Sequence, residues 1–309
     1  MGIITKIASR YWCMRYCLNP DCPQPKNLSA TENCQACGSS LTLHERFDIL
    51  LQLGRGGFGA AFLAIDQVQP NPVHCVVKQF CPKNTEPEKV QKALSRFQRE
   101  AHLLQKLHHP QLPHFVDYFE DTERVYLIQE YIHGVPLMRA VKKLGALSET
   151  DVKQMLRDFL PVLAHIHEHQ VIHRDINPNN ILYRTRDSQL VLIDFGLAAD
   201  LSLPNESTLK TANSVFIGTA GYVPPENGKQ PVPASDIFAL GATCFYLLTG
   251  MPPKKITRDS TTEELLWKSH LQVSDDLSEI MDKMLRHRVE QRYQSALKIV
   301  EELNQVLIV

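Results

Sequence analysis

His173-Arg174-Asp175-Ile176-Asn177-Pro178-Asn179-Asn180, followed fourteen residues after its end by Asp194-Phe195-Gly196, decides how this chain is read. Two carboxylates and a carboxamide recur there at the spacing needed to hold a nucleoside triphosphate, its metal ions and a hydroxyl nucleophile. Working outward, the short β-prone runs Ile181-Leu182-Tyr183 and Leu190-Val191-Leu192-Ile193 bracket a polar turn between the two motifs.

Upstream, Gly54-Arg55-Gly56-Gly57-Phe58-Gly59 lies between the strand-like runs Phe47–Leu51 and Ala61–Ile65. Glycines there let backbone N–H groups approach phosphate oxygens without a Cβ in the way. A dinucleotide-binding turn would open a helix, whereas this one leads into another strand. An ordinary glycine-rich hairpin would explain it equally well on its own. Lys78 then closes the strand Cys75-Val76-Val77-Lys78. Glu100 follows on a segment whose apolar residues Phe97, Ala101, Leu104 and Leu107 fall at helical spacing before Pro110. A single Lys or Glu is usually a solvated surface charge. The order of glycine-rich loop, strand Lys, helix Glu and the two motifs is what argues for a site.

In that order the chain, from about Phe47 onward, resembles the Ser/Thr protein kinases, close to the bacterial Hanks-type branch. The resemblance implies an α+β, bilobal fold, with a β-rich N-lobe over 46–132 and a helical C-lobe over 133–309. It implies that Asp175 accepts or orients the substrate hydroxyl proton, that Asn180 and Asp194 hold Mg2+, and that Lys78 pairs with Glu100 to orient the ATP phosphates. It places Leu53, Gly54, Gly56, Gly59, Ala61, Val76 and Leu182 around the nucleotide, the backbones of Glu130 and Ile132 on the adenine edge, and Gln129 at the gatekeeper position. Phe195 and His173 should pack beneath the site and link it to Leu104. Gly218-Thr219-Ala220-Gly221-Tyr222-Val223-Pro224-Pro225-Glu226 resembles the end of an activation segment, with Pro224 where Ala is usual. Glu226 should pair with Arg292, and Asp236 should brace the catalytic-loop backbone. Thr219 implies Ser/Thr acceptors. Arg174 implies pairing with a phosphorylated residue, with Thr208, Thr211 and Ser214 as candidates; a loop that needs no phosphorylation is the other reading.

Three positions depart from the family pattern. Asn177 stands where the Ser/Thr members have a lysine that contacts the γ-phosphate; a neutral hydrogen bond from Asn177 remains available there. Ala61 and Val76 exchange the usual Val and Ala over the adenine, roughly conserving volume. Pro136 stands near where an acidic residue meets the ribose. With Asn177, it motivates an alternative reading, a nucleotide-binding pseudokinase; retention of Lys78, Glu100, Asp175, Asn180 and Asp194 argues against that reading.

Residues 1–45 differ in composition, being rich in Cys, Pro, Asn and Ser. Five of the eight cysteines lie between Cys13 and Cys37. Cys17-x4-Cys22 and Cys34-x2-Cys37-Gly38 form two pairs that can close a tetrahedral Zn2+ site, and the glycine suits a tight knuckle. Thiol redox sensing, making the segment a redox- or zinc-regulated signalling module, and an unliganded tail are the alternatives. Similar Cys-pair segments occur in some cyanobacterial-type Ser/Thr kinases. Aromatic and basic neighbours (Tyr11, Trp12, Arg15, Tyr16) could touch nucleic acid, but packing against the kinase is the plainer account. Cys75, Cys81 and Cys244 read as small core residues or bystanders.

Bulk properties agree with a globular protein: 43% hydrophobic, 22% charged, net charge -1. The near-neutral charge gives no footprint for nucleic acid. The longest apolar stretch, 237–248, is too short to span a bilayer. Lys6 stands where a myristoylation motif wants Ser or Thr, and no signal core is visible. The expectation is cytoplasmic, with protein substrates and self-association for autophosphorylation. Further elements are expected over 148–169, a helix with Ser148 and Asp151 as capping box that Pro161 should kink or divide, and over 275–307, an amphipathic helix. His108-His109 and the His165, His167, His169 series read as structural, the latter ending an exposed helix.

Overall fold

The computed structural model describes residues 14–68, 72–83, 86–121, 124–203 and 217–305. Cys13, Tyr11, Trp12 and the candidate phosphoacceptors Thr208, Thr211 and Ser214 lie outside the described residues. Two compact units divide the chain: the first runs up to Ala101 and includes His114–Tyr131, and the second takes His102–Pro113 and the chain from Ile132.

In the first unit a small antiparallel pair, β1 (Met14–Tyr16) and β2 (Lys26–Leu28), precedes a six-stranded antiparallel sheet. The sheet is built from β3 (Thr42–Leu43), β4 (Phe47–Arg55), β5 (Gly59–Asp66), β6 (Val73–Phe80), β7 (Phe115–Asp121) and β8 (Arg124–Glu130), in the order β3-β4-β5-β6-β8-β7. The helix α1 (Pro87–Lys106) connects β6 to β7. The strands expected at 47–51, 61–65 and 75–78 are present as β4, β5 and β6.

Register gives this sheet two distinct faces. Ala61 stands opposite Lys78, Leu63 opposite Val76, and Val76 opposite Gln129, so these residues share one face. Ala60, Phe62, Ala64, Cys75, Val77, Tyr126 and Ile128 share the other, where they form one buried cluster with Phe47, Ile49 and Leu18. Leu18 comes from the cysteine segment, and Tyr16 packs on the same cluster with its ring 5.7 Å from Phe62. The Tyr16 hydroxyl donates to Gln52 Oε1 at 2.8 Å, and Arg15 pairs with Asp48. Packing against the sheet is thus what these aromatic and basic residues do.

The second unit begins its sequence-continuous part with β9 (Gly134–Pro136), followed by α2 (Leu137–Leu144) and α3 (Glu149–Glu168). Ser148 caps α3: its hydroxyl accepts from the Asp151 N–H while the Asp151 carboxylate accepts from the Ser148 N–H. Pro161 does not divide this helix. It lies on the exposed face, where water can take up the carbonyl that proline leaves without a partner. β10 (Val171–Ile172) pairs with β13 (Ala199–Asp200), and in a separate three-stranded sheet β11 (Ile181–Arg184) lies between β12 (Leu190–Leu192) and β9. The helix α4 (Pro233–Thr249) is buried along nearly all its length. The expected single helix at 275–307 is two, α5 (Asp275–Met284) and α6 (Ala296–Gln305). The interruption brings Arg292 to a buried position where it makes two 2.8 Å hydrogen bonds to Glu226. Among the described residues no helix is long and apolar enough to cross a membrane.

The glycines of the Gly54–Gly59 loop are not equivalent. A Cβ on Gly54, Gly56 or Gly57 would meet nothing within 4 Å, whereas one on Gly59 would lie 2.2 Å from the Gln79 carbonyl oxygen. Gly59 is required by the close approach of β5 to β6. We expect Gly59→Ala to destabilise the protein by roughly 1–3 kcal/mol, as overpacking does, and Gly57→Ala to change stability by well under about 1 kcal/mol. Urea unfolding of the two variants separates them; equal stabilities would remove the distinction.

Candidate active site

The catalytic-loop motif sits between β10 and β11, in the second unit. Its backbone is unusual: Arg174 has φ 66° and Asp194 φ 69°, both left-handed without being glycine. Such conformations cost about 1–3 kcal/mol and persist only where the surroundings enforce them. At Arg174, Asp236, on the first turn of α4 and with no exposure to water, supplies that enforcement. Its carboxylate accepts from the His173 N–H and the Arg174 N–H, both at 2.8 Å, and lies 2.9 Å from His167 Nε2. Burial alone would raise its carboxyl, but the His167 hydrogen bond and charge and the His173 contacts outweigh this and hold it below the ordinary range. His167 is therefore not on an exposed helix end; its side chain is only 8% exposed and sits against Asp236.

Asp175 is held at both oxygens. Oδ1 accepts from the Thr219 N–H at 2.9 Å and the Thr219 hydroxyl at 2.7 Å; Oδ2 accepts from Asn180 Nδ2 at 2.9 Å. Asn180 also donates to the Asp175 carbonyl. Asp194 Oδ1 accepts from the Gly196 N–H at 3.3 Å. Beneath these, the rings of His173 and Phe195 meet edge-on at 4.9 Å, and His173 Nε2 is 3.1 Å from the Ile193 carbonyl. Leu104 is buried in the same unit. Leu182 packs with Ile132, Val191 and Ile193, and Pro136 lies opposite it in the β9–β11 register.

Asn177 is the main correction. Rather than offering a hydrogen bond to phosphate, it is 1% exposed and fully committed within the loop. Its Nδ2 donates to the Asp175 carbonyl at 3.0 Å and to Thr219 Oγ1 at 3.2 Å, and its Oδ1 accepts from the Asn179 N–H at 2.9 Å. A carboxamide has two N–H donors, and both are used. The sequence marked Asn177 as a departure but carried no signal for its Thr219 contact.

In the first unit Lys78 Nζ bonds Glu100 Oε1, tying β6 to α1. Gln129, Val76, Ala61 and Lys78 lie on the same sheet face. The Glu130 N–H bonds the His114 carbonyl at 2.8 Å. Leu53, Gly54 and Gly56 are exposed. The Gly56 N–H bonds the Gly59 carbonyl at 2.8 Å to close the hairpin.

The four cysteines of the two pairs converge. All their Sγ atoms lie within 4.8 Å of one another, with Cys17–Cys37 and Cys22–Cys34 at 3.5 Å. A zinc–sulfur length of about 2.3 Å in a regular tetrahedron puts sulfurs about 3.8 Å apart, so the set fits a four-thiolate metal site. Gly38, at φ 74°, turns the knuckle, and its N–H bonds the Cys34 carbonyl. The buried Asn27, which the sequence did not single out, points Nδ2 at Cys34 Sγ from 3.5 Å, and the Asn19 N–H approaches Cys17 Sγ at 3.4 Å. Hydrogen bonds from the Ser39 side chain and backbone bring the Cys37 thiol down to about 6, whereas burial pushes Cys17 far up. By contrast Cys75 and Cys244 are buried, and burial pushes both thiols up to about 12, as befits core residues.

The protein kinase domain family matches residues 47–304, and the chain belongs to that family. Within it the chain is a Hanks-type bacterial member. It is 46% identical over 296 residues to serine/threonine-protein kinase B of Synechocystis sp., an alignment covering 94% of this chain and 52% of that protein. It is 37% identical over 266 residues to serine/threonine-protein kinase PknA of Nostoc sp., covering 84% of this chain and 47% of the other. A more distant likeness, 32% over 210 residues, is to serine/threonine-protein kinase PrkC of Bacillus subtilis, covering 67% of this chain and 31% of that protein. The chain spans about half the length of the first two.

Two outcomes follow. The depressed Asp236 and Glu226 carboxyls contribute stability that is fully present above their ordinary values of 3.8 and 4.5 and is lost as pH falls through the lower folded-state values. Urea unfolding between neutral pH and pH of about 3 should therefore show stability falling on acidification. Asp236→Asn should cost roughly 2–3 kcal/mol at neutral pH and make that fall shallower; an unchanged slope would remove Asp236 from the account. For the knuckle, elemental analysis should find about one zinc per chain. Chelation should lower the melting temperature, because Tyr16 and Leu18 of the same segment pack on the sheet. A melting point indifferent to chelator would leave the thiols without a metal role.

Proposed function

We propose that this chain is a serine/threonine protein kinase that transfers the γ-phosphoryl group of Mg-ATP to hydroxyls of protein substrates, itself included. The observation that carries the reading is Asp175, whose two carboxylate oxygens are fixed by Thr219 and Asn180. An acceptor hydroxyl meeting it finds a carboxylate already oriented, which is most of what such a base must provide in a reaction dominated by positioning. Asn180 and Asp194 are the residues that would hold Mg2+, which when bound neutralises charge on the transferred group. Lys78, oriented by Glu100, would hold the ATP phosphates. The glycine-rich loop, Leu53, Ala61, Val76, Leu182 and the Glu130 and Ile132 backbones would hold the nucleotide. Because Ala61 and Val76 share the face that carries Lys78, their exchange leaves the combined side-chain volume on that face nearly unchanged.

The cysteine segment, 1–45, serves in this reading as a zinc-binding structural module of the kinase domain, 46–309, and a reducing compartment such as the cytoplasm suits its thiols. Asn177, with its amide spent on the loop, favours slow transfer: no cation from that position reaches the γ-phosphate, and one such preorganised donor is worth about 10²–10³ in rate.

Transfer from radiolabelled Mg-ATP to the protein and to a generic Ser/Thr acceptor tests this. We expect label that disappears in Asp194→Ala. Asn177→Ala, which removes the loop bonds and adds no charge, should lower the rate. Asn177→Lys, which also adds the cation, should transfer faster than Asn177→Ala. No label in the native chain, with ATP still bound, would make it a nucleotide-binding pseudokinase.

A further inference from the structure

The two faces of the β4–β5–β6 sheet have different neighbours. Ala60 and Gln79, paired in register, alternate with Ala61 and Lys78 and therefore point to the opposite side from the proposed nucleotide residues. Arg55, paired with Ala60, belongs with them. On this side the Cys17–Cys22 turn comes down on the sheet. Leu18 enters the apolar cluster, and the buried Gln79 donates Nε2 to the Leu18 carbonyl at 3.0 Å and to Tyr126 Oη at 3.3 Å.

Beside that contact lies a cavity of about 370 Å³. Its wall includes Pro20 and Asp21 of the turn, Arg55 and Gly59 of the glycine-rich hairpin, Gln79, and Lys83 just beyond β6. We propose that this cavity binds a small phosphate ester bearing hydroxyl groups, of the size of a triose or hexose phosphate. Its volume falls in the range of small-molecule sites. Two cations, Arg55 and Lys83, face one carboxylate, Asp21, so the wall favours an anion, and Arg and Lys are the usual phosphate partners. Asp21 is left as an acceptor for ligand hydroxyl donors. Among the described residues no aromatic side chain lines the wall, so none of them stacks there on a nucleobase. A ligand in this cavity would touch the cysteine turn and the back of the glycine-rich loop at once.

Binding can be measured without any phosphoryl transfer, so the test stands apart from the kinase reading. Titration calorimetry on the whole chain would use glycerol 3-phosphate and glucose 6-phosphate, with inorganic phosphate and glucose as controls, before and after saturation with a non-hydrolysable ATP analogue and Mg2+. We expect at least one ester to bind, one per chain, with both controls at least about tenfold weaker. Saturation of the nucleotide site should not displace it. Arg55→Gln and Lys83→Gln, both at exposed positions, should each weaken it roughly tenfold, the effect of losing one charge-assisted hydrogen bond. Displacement by the ATP analogue, indifference to both substitutions, inorganic phosphate binding as well as the esters, or no binding up to about 10 mM would overturn the proposal.

Discussion

A carboxylate that never meets water holds the catalytic loop together. Asp236 takes the backbone N–H groups of two consecutive residues, His173 and Arg174, and so fixes a left-handed residue immediately before Asp175. The direction in which Asp175 leaves the backbone is set one residue upstream, and Thr219 and Asn180 then hold its carboxylate. The buried helix α4 is thus less a packing element than the rigid post from which the loop hangs. The burial of Glu226 with Arg292 anchors the other side of the same helix's start, through the Ala234 carbonyl and the Ser235 hydroxyl. Breaking one partner of a buried pair leaves an uncompensated charge, so the cost of keeping this region polar is also what makes its geometry single-valued.

Within that frame Asn177 changes what the loop can do. A lysine at this position would extend toward a ligand; the shorter asparagine turns inward and joins the Asp175 carbonyl to Thr219. Thr219, in turn, donates to Asp175. The three side chains form a closed set in which the activation segment and the catalytic loop specify each other. The loop gains local order and gives up a mobile cation, a trade of electrostatic reach for positional definition.

Much of this was legible in the sequence because its signals are local. The strands around the glycine-rich loop, the Ser148 capping box and the hairpin after the catalytic loop all follow from patterns a few residues long. The cysteine pairs could be read from spacing, and the family resemblance supplied the pairing of Glu226 with Arg292 and the bracing role of Asp236. What stayed hidden depends on partners distant in sequence. Asn177 reads as a lost lysine until Thr219, 42 residues away, is seen beside it. His167 reads as a helix-end residue until Asp236, 69 residues away, is found against its ring. The division of the last helix follows from burying Arg292, which no periodicity announces. Gly59 reads like its neighbours in the loop, yet only it is pressed against another strand.

The cysteine segment shares its apolar core with the sheet, and this bears on where the chain can be cut. Phe62 and Val77 have no exposure, and Tyr16 and Leu18 are packed on the cluster they belong to. A chain begun at residue 46 would uncover that cluster on the side opposite Lys78 and strand the Gln79 amide without the Leu18 carbonyl. The result is a sticky β-surface, the kind that drives self-association through exposed apolar patches. Loss of solubility after trimming the cysteines would then report a missing cover and say nothing about signalling by thiols.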